Sequence, residues 1–393
     1  MTGEGGALNS LRIAFLASVL GVCAPALSGQ AVPQLRLKPA DATLDEEFTA
    51  IRSVRELSDG RLLISDTRDN RVVVADMRTG AVSQVGRVGN GPGEYAQAST
   101  ILASTGDSSL MFDSRGGRLH LFDGAQFVGS LPPDAPIVKA VQRSAVGADA
   151  HGNVWRVALD IPAGGAAAPG GAGDSSFLIR ANRATAGVDT LARVKRAATN
   201  VRTFTNAKGE VTAMSISILP LSVGDEAAMF ADGWFAISRV DPYRVDWITP
   251  DGRMTKGPPL PFEKIKVTNR EIEAYFLARS RGAPAASGRV PDVVRDAVRE
   301  QAAVAAKSFP AVYPPFVING VIAASDGRAI IRRPETADKP NARYDVVDRA
   351  GRLVGTIEMA KGERLAAVTK AYAYVVWKDD DDIERLRRHP VPR

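Results

Sequence analysis

Cysteine is all but missing from this 393-residue sequence, which has Cys23 and no other. A lone thiol rules out a disulfide framework, so burial of apolar surface and strand pairing must hold the fold together. Histidine is scarce as well. His120, His151 and His389 lie far apart, and their placement gives no sign of the two or three convergent imidazoles that a histidine-ligated transition metal needs. Aromatic residues make up only 6% of the chain, and lysine and arginine never form a run. The net charge of +6 and pI near 9.4 therefore allow weak attraction to anions, but nothing supports a nucleic-acid partner. No Gly-x-Ser-x-Gly elbow occurs, and no apolar run after the first thirty or so residues is long enough to cross a bilayer.

The first such run has another reading. Arg12 precedes the apolar stretch Ile13 to Val22, and small residues follow at Ala24, Ala26, Ser28, Gly29 and Ala31. This is the pattern of a secretory signal peptide spanning residues 1–31, with cleavage between Ala26 and Ala31. A lipid anchor on Cys23 would require a small residue before it, and Val22 is too large. The expected location is periplasmic or extracellular, and the mature chain would contain no cysteine.

The remainder is rich in strand-turn-strand punctuation. Leu62 to Ser65, Arg71 to Ala75 and Ala81 to Val85 are β-branched or aliphatic runs separated by turn clusters, at the spacing of a β-meander. Equivalent second strands can be aligned at Arg61–Ser65, Ser109–Asp113, Val154–Leu159, Trp234–Ser238, Arg328–Arg332 and Ala371–Trp377. Their starts are 48, 45, 80, 94 and 43 residues apart. A period of about 45 residues is that of propeller blades, and the two long intervals carry insertions. Asp-Gly pairs at Asp59, Asp123, Asp232, Asp251 and Asp326 supply tight turns in this register. The expected fold is all-β: a six-bladed β-propeller over residues 32–391, its last blade completed by an outer strand from Gln34 to Lys38.

Residues 59 to 95, which include Asp59-Gly60, the runs on either side of Asp66-Thr67-Arg68-Asp69-Asn70-Arg71, and Thr79-Gly80, resemble an NHL-type repeat, and the Gly89 to Tyr95 tail resembles the glycine-rich signature of exported bacterial six-bladed propeller proteins. That resemblance implies the architecture and a binding or scaffold role of undefined ligand. It does not imply a chemistry.

Three insertions break the repeat. Ile161 to Ser175 is a Gly, Ala and Pro stretch, Arg196 to Val211 is polar, and 263–310 is helical. In the last, Thr268-Asn269-Arg270-Glu271 is a capping-box pattern, and a second amphipathic run follows Pro291 through Ala306. All three fall between second and third strands or between consecutive blades, connections that emerge on one face. Drift of tolerated loops would explain that, but so would a binding face at one mouth of the channel, with helix 291–306 as a lid.

Candidate residues follow from the same topology. Arginine recurs at or after second strands, at Arg68, Arg115, Arg239, Arg332 and Arg333. Solvated rim charge is the simpler account of these guanidiniums. The functional one is a site for a carboxylate, phosphate or sulfate formed by Arg68, Arg115 and Arg332, with Tyr243 adding a hydrogen bond or a stacking face. A second functional class is a calcium-dependent hydrolase or lactonase, in which Glu47, Asn319, Asp225 and Glu226 would be the ligands offered to the ion. The Gly89 to Tyr95 loop has the glycine spacing to cradle a phosphate but not the ending of a P-loop, and reads first as a connection between blades. The acidic run Asp379 to Asp382 lacks EF-hand spacing and reads as a solvated hairpin turn. The expected partner is a small molecule, peptide or protein, with neither cofactor nor metal required.

Overall fold

In the computed structural model, residues 32–391 are described apart from 105, 142–144, 150, 152, 160–173, 186, 207, 210, 281–291 and 380. The expected signal-peptide segment, most of the Gly-Ala insertion and the linker between the two helices lie outside the described residues.

Six antiparallel meanders follow one another around a ring. Their second strands are Leu62–Asp66, Ser108–Asp113, Asn153–Leu159, Phe235–Val240, Ala329–Arg332 and Tyr372–Lys378, matching the register read from the sequence. Burial explains why these strands are near-continuous apolar runs and not alternating ones. Each blade is sandwiched between two others, so its middle strands lose both faces to neighbours, as Leu62–Asp66 does throughout its length. The outer strand of blade two, Gln126–Leu131, faces solvent on one side and alternates accordingly.

The core is distributed over the blade interfaces. Among the described residues six apolar clusters occur, one at each junction, including that between blades six and one. The junction of blades three and four is built on Trp155 stacked against Phe235 at 3.7 Å between ring centroids. A closed ring leaves no long open sheet edge at either end of the chain.

Closure differs from expectation. The strand that completes blade six is Ala42–Phe48, which pairs antiparallel with Glu384–Pro390. Gln34–Leu35, the start of the expected segment, instead adds a short parallel strand to the outer edge of blade five beside Thr356–Ile357. The acidic composition of Ala42–Phe48 conceals its role. Leu44 and Phe48 are fully buried in the closing junction, while Asp41, Glu46 and Glu47 are neutralised by Arg388, Arg71 and Arg385.

The polar insertion contains a two-stranded hairpin, Thr199–Thr205 with Val211–Ile218. The helical insertion comprises helices Asn269–Ser280 and Asp292–Ala305, between blades four and five. They pack on each other and bury Ile272, Val298 and Ala302. Glu271 docks them to blade five. Its buried carboxylate accepts the Tyr313 hydroxyl at 2.7 Å and the Ala337 N–H at 3.0 Å, Ala337 lying in the connection between the second and third strands of that blade. Burial and the adjoining carboxylate push the Tyr313 hydroxyl well above its ordinary pKa.

Candidate functional site at one mouth of the channel

The connections between second and third strands, and those between blades, share one face, and both the hairpin and the helix pair interrupt connections of this class. The Gly-Ala stretch joins the second and third strands of blade three and belongs to the same class by its place in the chain.

On this face two turns are built alike. Asp66 and Asp113, the last residues of their strands, are fully buried. One Asp113 oxygen accepts the N–H groups of Arg115 at 3.0 Å and Gly116 at 2.8 Å, and the other accepts the Ala96 N–H at 2.7 Å from the connection entering the blade. Asp66 is used similarly: one oxygen accepts the N–H groups of Arg68, Asp69 and Ala50, and the other accepts that of Thr49. A carboxylate is required because it accepts from several donors at once. Gly116 follows from this geometry, since a Cβ there would lie 2.5 Å from an Asp113 oxygen. The turn hydrogen bonds keep the Asp113 carboxyl below its ordinary pKa even though burial pushes the other way. His120, also fully buried, sits 3.3 Å from Asp113 through Nε2 and 2.7 Å from the Ser130 hydroxyl through Nδ1, and burial lowers its pKa.

These staples present Arg68 and Arg115 outward. Both are exposed, and among the described residues neither has a carboxylate partner. Arg115 borders an open depression between blades one and two that Thr67, Asn70, Gln97 and Ser114 also line. The other candidates have different surroundings. Arg332 is ion-paired with Glu335, and Arg239 with Asp225 and Asp246. Arg333 pairs with Asp345 at 2.9 Å. Tyr243 is not presented to a ligand at all: it is 2% exposed, its hydroxyl donates to Asp345 at 2.7 Å, and its ring packs against Phe262 and Phe316. An aromatic at the start of a third strand faces the neighbouring blade, which is why it is core here.

The proposed calcium ligands do not converge as a set. Glu47 lies on the outermost strand, paired with Arg385. Asp225 is committed to Arg239 and to the N–H groups of Lys195 and Val240. Glu226 and Asn319 stand at the inner-strand starts of adjoining blades four and five. Among the described residues no three His, Cys, Asp or Glu side chains are grouped for a metal.

Glu226 belongs instead to a polar collar. It starts the inner strand of blade four, Asn319 precedes that of blade five, Thr100 precedes that of blade two, and Arg52 is the second residue of that of blade one. Arg52 donates from Nε to the Thr100 hydroxyl at 3.1 Å. Blades one and four are opposite in a six-membered ring. Burial pushes the Glu226 carboxyl up to about 7 in spite of Arg52 and the Asn319 N–H. Arg52 and Thr100 were not among the sequence candidates. Their common signal is position alone, the first residues of inner strands, and it becomes visible only when all six strands are aligned.

The phosphate-cradle reading of Gly89 to Tyr95 is answered by the chain itself. Glu94 fills the loop, accepting the Gly91 N–H at 2.6 Å and pairing with Arg87 at 2.7 Å. A Cβ on Gly89, whose φ is +158°, would lie 2.1 Å from the Glu94 carboxylate. Asp379 likewise serves its hairpin, accepting the N–H groups of Asp381 and Ile383.

Among solved structures, the fold is similar to a Bacteroides fragilis protein provisionally named as exported, with 11% identity, coverage of 91% of this chain and 94% of the other, and a TM-score of 0.46. It is also similar to a DUF4221-family protein from Bacteroides vulgatus, with 6% identity, coverage of 92% and 96%, and a TM-score of 0.47. A third is regucalcin, a calcium-binding protein from Agrobacterium tumefaciens, with 11% identity, coverage of 92% and 98%, and a TM-score of 0.37. No curated protein matches the sequence. A family profile described as 6-bladed beta-propeller matches residues 42–132, which hold the ring-closing strand and the first two blades. On that match and on its six blade junctions, the chain is a six-bladed β-propeller.

Proposed function

We propose that this protein is an exported ligand-binding propeller, without catalytic chemistry of its own, that takes a polar or anionic ligand at the mouth of its channel on the elaborated face. One observation carries the reading: Arg68 and Arg115 stand on turns held by buried aspartates, Arg115 beside an open depression that Thr67 also lines, and neither has an acidic partner among the described residues. Guanidinium groups fixed in this way and left unneutralised suit carboxylate or phosphate oxygens. Export rests on the signal-peptide pattern of residues 1–31. Among the described residues no helix is long and apolar enough to cross a membrane.

The test is titration of the mature protein with inorganic phosphate, followed by calorimetry or by NMR shifts. Phosphate binding that falls tenfold or more in the Arg68→Ala, Arg115→Ala double variant, with the melting temperature unchanged, supports the proposal, because exposed charges contribute little to stability. Binding that is absent in the parent protein or unchanged in the double variant refutes it. Repeating the titration with a chelator separates this reading from a calcium-dependent one, which predicts that the chelator abolishes binding.

A further inference from the structure

The depression that Arg115 borders has a lining of one chemical kind. Thr67, Asn70, Ala96, Gln97, Ser114 and Arg115 surround it, so hydroxyls, amides and one guanidinium come together between blades one and two. Among the described residues its sole apolar side chain is the Ala96 methyl, and no carboxylate lines it. The neighbouring Asp66 and Asp113 are buried, their oxygens taken by backbone N–H groups. Its volume of about 490 Å³ falls within the range of small-molecule sites. Local hydrogen bonds decide which polar ends remain for a ligand. Asn70 is committed to the wall, where Nδ2 donates to the Ala96 carbonyl at 3.1 Å and Oδ1 accepts the Ala98 N–H at 2.6 Å. The Ser114 hydroxyl donates to Gln97 Oε1 at 3.1 Å. That bond leaves the Gln97 NH2 group as a donor and the Ser114 lone pairs as acceptors, next to one another.

We propose that the depression binds a hexuronate, its carboxylate on Arg115 and two adjacent ring hydroxyls on Gln97 and Ser114. A neighbouring donor and acceptor match a vicinal diol, one hydroxyl accepting from the Gln97 NH2 group and the other donating to Ser114. The guanidinium fork takes the carboxylate oxygens in parallel. The Thr67 hydroxyl donates or accepts as a further ring hydroxyl requires. An apolar body gains nothing against a wall with a single methyl, because there is no apolar surface for it to bury. Water serves an isolated hydroxyl as well as the protein does, so selectivity comes from meeting carboxylate and diol together on one rigid ring, whose geometry is fixed before binding. This inference rests on the binding-face reading and narrows it: Arg115 supplies the contact to the anion, and Gln97 and Ser114, which that reading leaves without a role, supply the choice of ligand.

The experiment titrates the mature protein with glucuronate and galacturonate. Acetate serves as the control with charge and no hydroxyls, methyl glucoside as the control with hydroxyls and no charge, and inorganic phosphate is measured alongside. At least one uronate should bind ten times or more tightly than either control. Gln97→Ala and Ser114→Ala should each weaken it about fivefold, the worth of one hydrogen bond, while phosphate binding stays within about twofold of the parent. Arg115→Ala should weaken both ligands. Gln97 and Ser114 are exposed, so melting curves of their variants should match the parent. Uronates that bind no better than acetate, or that are insensitive to both Gln97→Ala and Ser114→Ala, overturn the proposal. The two readings stay distinct: phosphate binding that is lost in the Arg68→Ala, Arg115→Ala variant while uronates show no preference refutes the hexuronate alone, whereas failure of phosphate and uronates alike to bind refutes the binding-face reading with it.

Discussion

Asp113 offers a sharp test of how the candidate rim is held. Replacing it by alanine removes the acceptor for three backbone N–H groups, those of Ala96, Arg115 and Gly116, and for His120 Nε2. A buried donor left without a partner costs about 1–3 kcal/mol, and loss of one member of a buried charged network about 3–5 kcal/mol. Because two of the three N–H groups lie in a turn that water can reach after small adjustments, a total of about 3–5 kcal/mol is expected. Asparagine should be milder. Its oxygen can keep the Arg115 and Gly116 bonds, but its NH2 then faces the Ala96 N–H, donor against donor, for a loss of about 1–3 kcal/mol. Arg115→Ala, which removes an exposed charge and leaves the turn intact, should stay within about 0.5 kcal/mol of the parent. Urea unfolding followed by tryptophan fluorescence measures all three. An alanine variant within about 1 kcal/mol of the parent, or an asparagine variant less stable than alanine, would refute the staple argument.

Burial lowers the His120 pKa below its unfolded value of about 6.5, so its contribution is complete above that pH and is lost as pH falls through the folded value. Asp113, also lowered, contributes above about 3.9 and loses its share as pH falls through its own folded value. Stability plotted against pH should therefore decline in two stages on the acid side, and His120→Gln should remove the upper one. Glu271→Ala strips Tyr313 and Ala337 of their acceptor, and hydrogen exchange should show loss of protection in Asn269–Ala305 with the blades unchanged. Deleting residues through Phe48 removes the closing strand with Leu44 and Phe48, each worth about 1.5–3 kcal/mol of burial. That variant should aggregate, whereas deletion through Val32 should not. Intact-mass measurement of exported material should show a new N-terminus between Ala26 and Gln34, and a lipid on Cys23 would refute the leader reading.

The blades themselves were legible in the sequence because the forces that make them are local and repeated. A second strand buried on both faces must be an apolar run, and a tight hairpin needs glycine at positive φ, as at Gly60, Gly233 and Gly327. Both demands recur in the residue order. The pairing of distant segments leaves no such trace. Ala42–Phe48 closes the ring through partners more than three hundred residues away, and its acidic residues make sense only beside Arg385 and Arg388. Tyr243 and Arg68 illustrate the same limit at the site. Tyr243 follows a turn and Arg68 lies within one, and each carries a polar end, but one faces an adjoining blade and the other open solvent. Which inner-strand starts stand across the channel from one another depends on the ring having six members, which places blade one opposite blade four. Local propensity and burial periodicity determined the repeat, and tertiary closure decided which charges were neutralised and which, like Arg68 and Arg115, were left exposed.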